Sequence, residues 1–231
     1  MAKNNNIPCD YLVKRQRVMG DLTDHLNKFI QENQNFHWHY KEFGKQVEQP
    51  IINFLVNNGL LSKDEFKDQS DNKNEVPDVI DQQYLLPIFI DIKAGNTVAF
   101  STGKKITNPN QDLSTTVKWR DEIFNKFDGE LCYFIEIKYN HSKGNNLYVE
   151  ECHIDHFYNF VGKTQAGLIS HRNRNVRTKS WNSESQFKDS EEFKGLLDKT
   201  ISFAVKNALF NGSKNLTEDD KIEIIEHLKG K

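Results

Sequence analysis

A chain of 231 residues is long enough to bury a substantial core as one large domain, and with 36% hydrophobic residues, 16 Phe and 7 Tyr it is far too aromatic to stay unfolded. A formal net charge of −2 excludes an overall positive field, so any surface for nucleic acid has to come from local segregation of charge. Cys9, Cys132 and Cys152 have no CxxC spacing, which excludes a disulfide framework and a cysteine-rich zinc module.

From Asp10 to about Asn33, Val18, Leu22, Leu26, Phe29 and Ile30 recur at helical spacing and predict one amphipathic scaffold helix. Phe43, Val47, Ile51, Phe54 and Leu55 predict a second, stopped near Gly59, with Pro50 either starting a new helix or kinking this one. Ser62 to Glu75 is polar and aperiodic, and reads as an exposed loop. The period then changes. Val76–Asp81 and Leu85–Ala94 read as two strands of an antiparallel hairpin. A helix is expected from Ser114 through Phe127, then a strand Leu131–Tyr139, so that the chain makes a β-α-β crossover. Leu147–Ile154 reads as a further strand antiparallel to it, after a turn at Lys143–Asn146. Helices are expected over Asp189–Phe210 and Leu216–Leu228. The expected fold is α/β (α+β mixed), a central mixed sheet flanked by helices, in one domain spanning 1–231. Within it, a helical N-terminal part covers about 1–60, a central core about 43–154, and a basic loop with C-terminal helices about 162–231.

The first residues lack the apolar core of a signal peptide, and the longest apolar run, Tyr84 to Ile90, is too short to cross a bilayer. A cytoplasmic protein without membrane partners is expected.

Residue types, spacing and local structure converge at Val76-Pro77-Asp78 followed by Ile90-Asp91-Ile92-Lys93. Side chains alternate along a strand, so Ile88, Ile90 and Ile92 share one face while Phe89, Asp91 and Lys93 share the other. A hairpin partner brings Asp78 beside them. Two carboxylates and an ammonium on one face suit phosphodiester hydrolysis, because Mg2+ takes oxygen ligands and keeps positions for water and phosphate. Asp78, Asp91 and the main-chain carbonyl of Ile92 are the candidate metal ligands. Lys93 is the candidate for orienting the attacking water and holding the transition state. The purely structural alternative makes Asp78 a turn residue and Asp91 and Lys93 an exposed cross-strand neighbourhood.

Pro77-Asp78 with Asp91-Ile92-Lys93 ending an apolar strand after a hairpin resembles the motif of the PD-(D/E)xK nuclease superfamily. The resemblance covers about Phe43 to Ile154 as order of elements. It implies a restriction-endonuclease-like fold, metal-dependent cleavage of double-stranded DNA, and in many members a homodimer. It also implies a supporting glutamate on an early helix, for which Glu48 is the match, set against plain surface charge. A second acid-x-lysine, Glu136-Ile137-Lys138, lies on an apolar strand but lacks a hairpin aspartate before it, and reads as a strand end or a secondary contact.

Between Gly162 and Ser183 the chain carries Lys163, His171, Arg172, Arg174, Arg177 and Lys179 with no acid, interleaved with Asn173 and Asn175. This mixture suits phosphate neutralisation combined with contacts to base edges; the alternative is a solvated basic loop. Lys104, Lys105, Asn108 and Asn110 lie in another acid-free stretch, Lys93 to Gln111, that follows on the candidate site, and Lys118 is a weaker candidate for the DNA backbone. Trp181 reads as a base-stacking or packing residue. His37, His39, His153 and His156 lack a matched second pair at zinc-ligand spacing. The sequence thus predicts a homodimeric, sequence-specific type II restriction endonuclease using Mg2+. The alternatives are a repair or recombination nuclease of the same fold, or a non-catalytic DNA-binding protein.

Overall fold

The computed structural model describes residues 7–34, 38, 42–68, 77–108, 111–172, 175–181 and 183–212, without the side chains of 208–212. Its centre is a five-stranded mixed sheet in the order β1-β2-β3-β5-β6: β1 Phe66–Asp68, β2 Val79–Asp81, β3 Ile88–Asn96, β5 Cys132–Asn140 and β6 Tyr148–His156. β2 and β3 pair antiparallel, β3 and β5 parallel, and β5 and β6 antiparallel. A smaller sheet is ordered β4-β8-β7, from β4 Asp112–Thr115, β7 His171–Arg172 and β8 Asn175–Arg177.

Alternation along the central strands sorts their side chains onto two cores. Ile88, Ile90 and Ile92 join Tyr133, Ile135, Ile137 and Ile154 beneath the N-terminal helices α1 Tyr11–Arg17, α2 Met19–Glu32 and α3 Phe43–Asn57. The opposite face carries Phe89, Phe134, Trp119, Phe157 and Phe193. There the sheet is covered by the short helices α4 Thr116–Lys118 and α5 Phe124–Lys126, which a π-helical turn joins, by α6 Ser190–Gly212, and by the smaller sheet. Trp119 stacks on Phe157 with ring centroids 4.4 Å apart. Each fully buried side chain of this size contributes on the order of 1.5–3 kcal/mol, so the two cores hold the sheet between helical layers.

Several boundaries differ from the sequence reading. The single helix expected over 10–33 breaks at Val18 into α1 and α2. α3 runs unbroken through Pro50, which only lacks the N–H that residue i−4 would accept. Leu85 and Leu86, read as strand, are 61% and 51% exposed and belong to the turn before β3. The helix expected from Ser114 begins later, because Ser114 has φ +69°, a left-handed value outside the helical region; Thr115 caps the helix instead, its Oγ1 accepting from Lys118 N at 3.0 Å. The expected helix over 216–228 lies outside the described residues.

Candidate active site

The site forms where β2 leaves the edge of β3. Val79 pairs with Ile90, and pairing ends there. Main-chain groups alternate in direction along a strand, so Ile92 presents its N–H and C=O to the same edge as Ile90, one step past the last partner. Asp78 fills that place: its Oδ2 accepts from Ile92 N at 2.6 Å. The Ile92 carbonyl consequently faces the Asp78 side, and Asp91 projects from the adjoining position. Asp91 is 2% exposed, and its Oδ2 lies 2.6 Å from Lys93 Nζ.

Glu48 arrives from the next layer. An added Cβ on Gly44 would sit 3.2 Å from Ala94 Cβ, so glycine lets α3 close onto β3 beside Lys93. Glu48, one turn further along, shares that helix face. Burial pushes its carboxyl up to about 7, against Lys93 and Lys45 and with a push from Asp91. Burial and then the charge of Asp91 push Asp78 up to about 8, opposed by Lys93 and by the Ile92 N–H. For Lys93 burial acts to lower the pKa, but Asp91 and Asp78 outweigh it and hold the ammonium above its ordinary value. Lys93 therefore stays cationic among these acids.

Among the described residues no three His, Cys, Asp or Glu side chains are gathered to hold an ion on their own. The donor set is two carboxylates and one main-chain carbonyl, with Glu48 behind them. It fits Mg2+, which is commonly held by one or two carboxylates and retains water and phosphate as its other ligands. The crowding of ionisable carboxylates around a single lysine is itself a site that a divalent cation would relieve.

The candidate DNA-binding residues divide. Lys104, Lys105, Asn108 and Arg172 are exposed, and Lys118 and Asn175 are partly buried; Asn110, Asn173 and Arg174 lie outside the described residues. The two stretches they come from are joined, Trp181 N donating to Thr107 O at 3.0 Å and Thr178 N to Gln111 O at 3.4 Å. Arg177 corrects the sequence reading: it is 6% exposed and bonded to Asp112. Its guanidinium ties β8 to β4, and a side chain so enclosed is not presented to a groove. Lys179 is turned inward as well, donating to Ser183 O, with burial lowering its pKa.

Sequence reasoning left β6 without a site role. Its Glu151, His153 and Asp155 stand opposite Lys138, Glu136 and Phe134 of β5, and their period-two polar alternation was the signal available.

No protein-family model matches this chain, and no curated protein sequence does. Among solved structures, the NlaIV restriction endonuclease is similar. It superposes with a TM-score of 0.48 at 15% identity, over 68% of this chain and 63% of that one. The chain thus spans less than two thirds of the length of that structure. At such distance the chemistry has to be read from this chain's own side chains.

Proposed function

We propose that this protein is a Mg2+-dependent DNA endonuclease of the PD-(D/E)xK type, acting as a homodimeric restriction enzyme. The observation that carries the reading is the Asp78 carboxylate bonded to Ile92 N at 2.6 Å beside the Asp91–Lys93 pair. The hairpin brings the separated halves of the sequence motif to one point, at a strand edge where β2 pairing has just ended.

Asp78, Asp91 and the Ile92 carbonyl would hold the cation, which supplies charge neutralisation of the scissile phosphate and acidification of water. Lys93, held cationic and fixed by Asp91, donates toward the attacking water and the phosphoryl oxygens where negative charge develops. The Ile92 N–H fixes the rotamer of Asp78, so this donor is in place before substrate arrives. Glu48 supports the group from α3. Lys104, Lys105, Asn108, Lys118, Arg172 and Asn175, with Asn110, Asn173 and Arg174, are the proposed contacts to double-stranded DNA. Interleaved Asn and Arg favour reading of sequence over recognition of structure.

One such site hydrolyses one phosphodiester at a time, so a double-strand break calls for two copies, and two-fold pairing matches a palindromic target. Phe203 and Val205 on α6 are 45% and 42% exposed and are apolar surface that an isologous contact would cover. Incubation of the purified protein with phage DNA and Mg2+ is expected to give discrete bands, absent in EDTA. An intact substrate would contradict the reading. Sedimentation with and without DNA, and a time course on supercoiled plasmid, test the dimer: a monomer accumulating nicked circles would favour a repair nuclease.

A further inference from the structure

The face that carries Asp91 and Lys93 continues across the sheet. Lys93 lies beside Glu136, and Glu136 beside His153. Over β5 and β6 there opens a cavity of about 300 Å3, floored by Glu136, Lys138, His153 and Asp155 and walled by Lys179 and Trp181. Neighbouring strands are about 4.8 Å apart, so the floor starts one strand from Lys93. That is the scale of one nucleotide step, about 3.4 Å along a stacked strand.

The lining narrows what the cavity takes. Its acids, Glu136, Glu151 and Asp155, outnumber its lysines, Lys138 and Lys179: Lys138 Nζ lies 2.7 Å from Glu151 Oε2 and 4.0 Å from Glu136 Oε2, and His153 Nε2 lies 3.7 Å from Asp155 Oδ2. An anion such as a free phosphate meets more repulsion than attraction there. Among the described residues these acids and His153 do not form a metal-holding group. Duplex DNA is far too wide for such a volume. What fits is a flat, uncharged group with hydrogen-bonding edges and a face for an aromatic ring. Trp181 has Lys138 Nζ 5.7 Å from its ring centroid, and its Nε1 is buried with no hydrogen-bond partner, although an indole N–H in such a place ordinarily has one.

We propose that this cavity receives one nucleobase, swung out of the duplex beside the phosphodiester that Asp78, Asp91 and Lys93 cut. The subsite rests on the endonuclease reading. Glu136 or Asp155 accepts from an exocyclic amino group, Lys179 donates to a ring carbonyl, and the Trp181 ring borders the base. Leaving the stack costs free energy, and least where the base is already mispaired.

The test begins with the wild type cutting plasmid, the cut ends being sequenced to define the target. Duplexes carrying that target, with one mismatch moved through it, are then titrated with the Asp91→Ala variant, which binds without cutting. A mismatch at one position next to the cut is expected to tighten binding about tenfold or more, and mismatches elsewhere to weaken it. The gain is expected to vanish in Asp91→Ala combined with Trp181→Ala or with Glu136→Gln, the second conserving shape in case the first fails to fold. If the wild type leaves plasmid intact, the endonuclease reading falls and the subsite with it. If it cuts but the mismatch profile is flat, or the gain survives in the folded double variants, the subsite alone is overturned.

Discussion

Strands β3 and β5 run parallel, and each displays an acid and a lysine two residues apart on the same face, Asp91 and Lys93 on one, Glu136 and Lys138 on the other. Their surroundings separate them. Beside β3 stands Asp78, bonded to Ile92 N across an edge that has lost its strand partner. Glu48 adds a further carboxylate from α3. β5 is paired on both sides, with β3 and with β6, so its main-chain carbonyls are committed to the ladder. Lys138 is engaged by Glu151 at 2.7 Å. On the proposed reading, an acid-x-lysine pattern could hold a metal only where a strand edge opens beside it and a further carboxylate enters the gap.

The largest effect should come from the two lysines. Lys93→Ala is expected to slow cleavage about a thousandfold, the scale of losing a donor aimed at developing charge, and Lys138→Ala less than tenfold, both measured on plasmid with Mg2+. Equal losses would erase the distinction between the strands.

Asp81, three residues past Asp78 at the far end of β2, sharpens the contrast through stability. It accepts from Tyr11 OH at 2.8 Å and from Gln83 Nε2 at 2.8 Å, and faces Arg15 Nη2 at 3.4 Å. Arg15 and Asp81 are 3% and 0% exposed. Breaking such a buried pair costs about 3–5 kcal/mol, so Asp81→Ala should lower the midpoint of urea unfolding sharply while the folded fraction still cuts. A variant as stable as the wild type would mean that this cluster does not hold α1 to the sheet.

Asp78→Asn should do the opposite. It keeps the acceptor for Ile92 N but removes a carboxyl that burial and Asp91 push up to about 8, so that near neutral pH folding no longer has to protonate it. The metal-free protein is expected to melt a few degrees higher, about 2–4 °C for each kcal/mol gained, with cleavage abolished. A lower melting temperature in EDTA would contradict the electrostatic account of the site. The smallest effect is expected at Arg172, where Arg172→Ala should lower the salt slope of DNA binding by about one; an unchanged slope would return this side chain to solvent.

Strands β2, β3, β5 and β6 were legible because they carry apolar runs whose alternation sets both faces, and the meeting of Asp78 with Asp91 and Lys93 was legible because a hairpin fixes what lies opposite what; β1, with an exposed Lys67 and Asp68, lies in the polar stretch 62–75 that reads as a loop. The small sheet was not. β7 and β8 contain two and three residues, too few for a period, and β4 hides in a segment that reads as a helix start until Ser114 turns left-handed. Arg177 looked like one more cation of a basic loop because sequence order does not show Asp112 across the sheet from it. The helical position of Glu48 followed from pattern, whereas its approach to Lys93 depends on Gly44 packing against Ala94. The cavity over β5 and β6 needed both strands in register before its lining came together.

The central claim is that cutting belongs to β3. Initial rates on one supercoiled plasmid with Mg2+, for wild type, Asp91→Ala and Glu136→Ala at equal folded concentration, test it most directly. The account predicts no measurable cleavage by Asp91→Ala and a loss of less than tenfold in Glu136→Ala. An active Asp91→Ala beside an inactive Glu136→Ala would move the chemistry to β5 and contradict it.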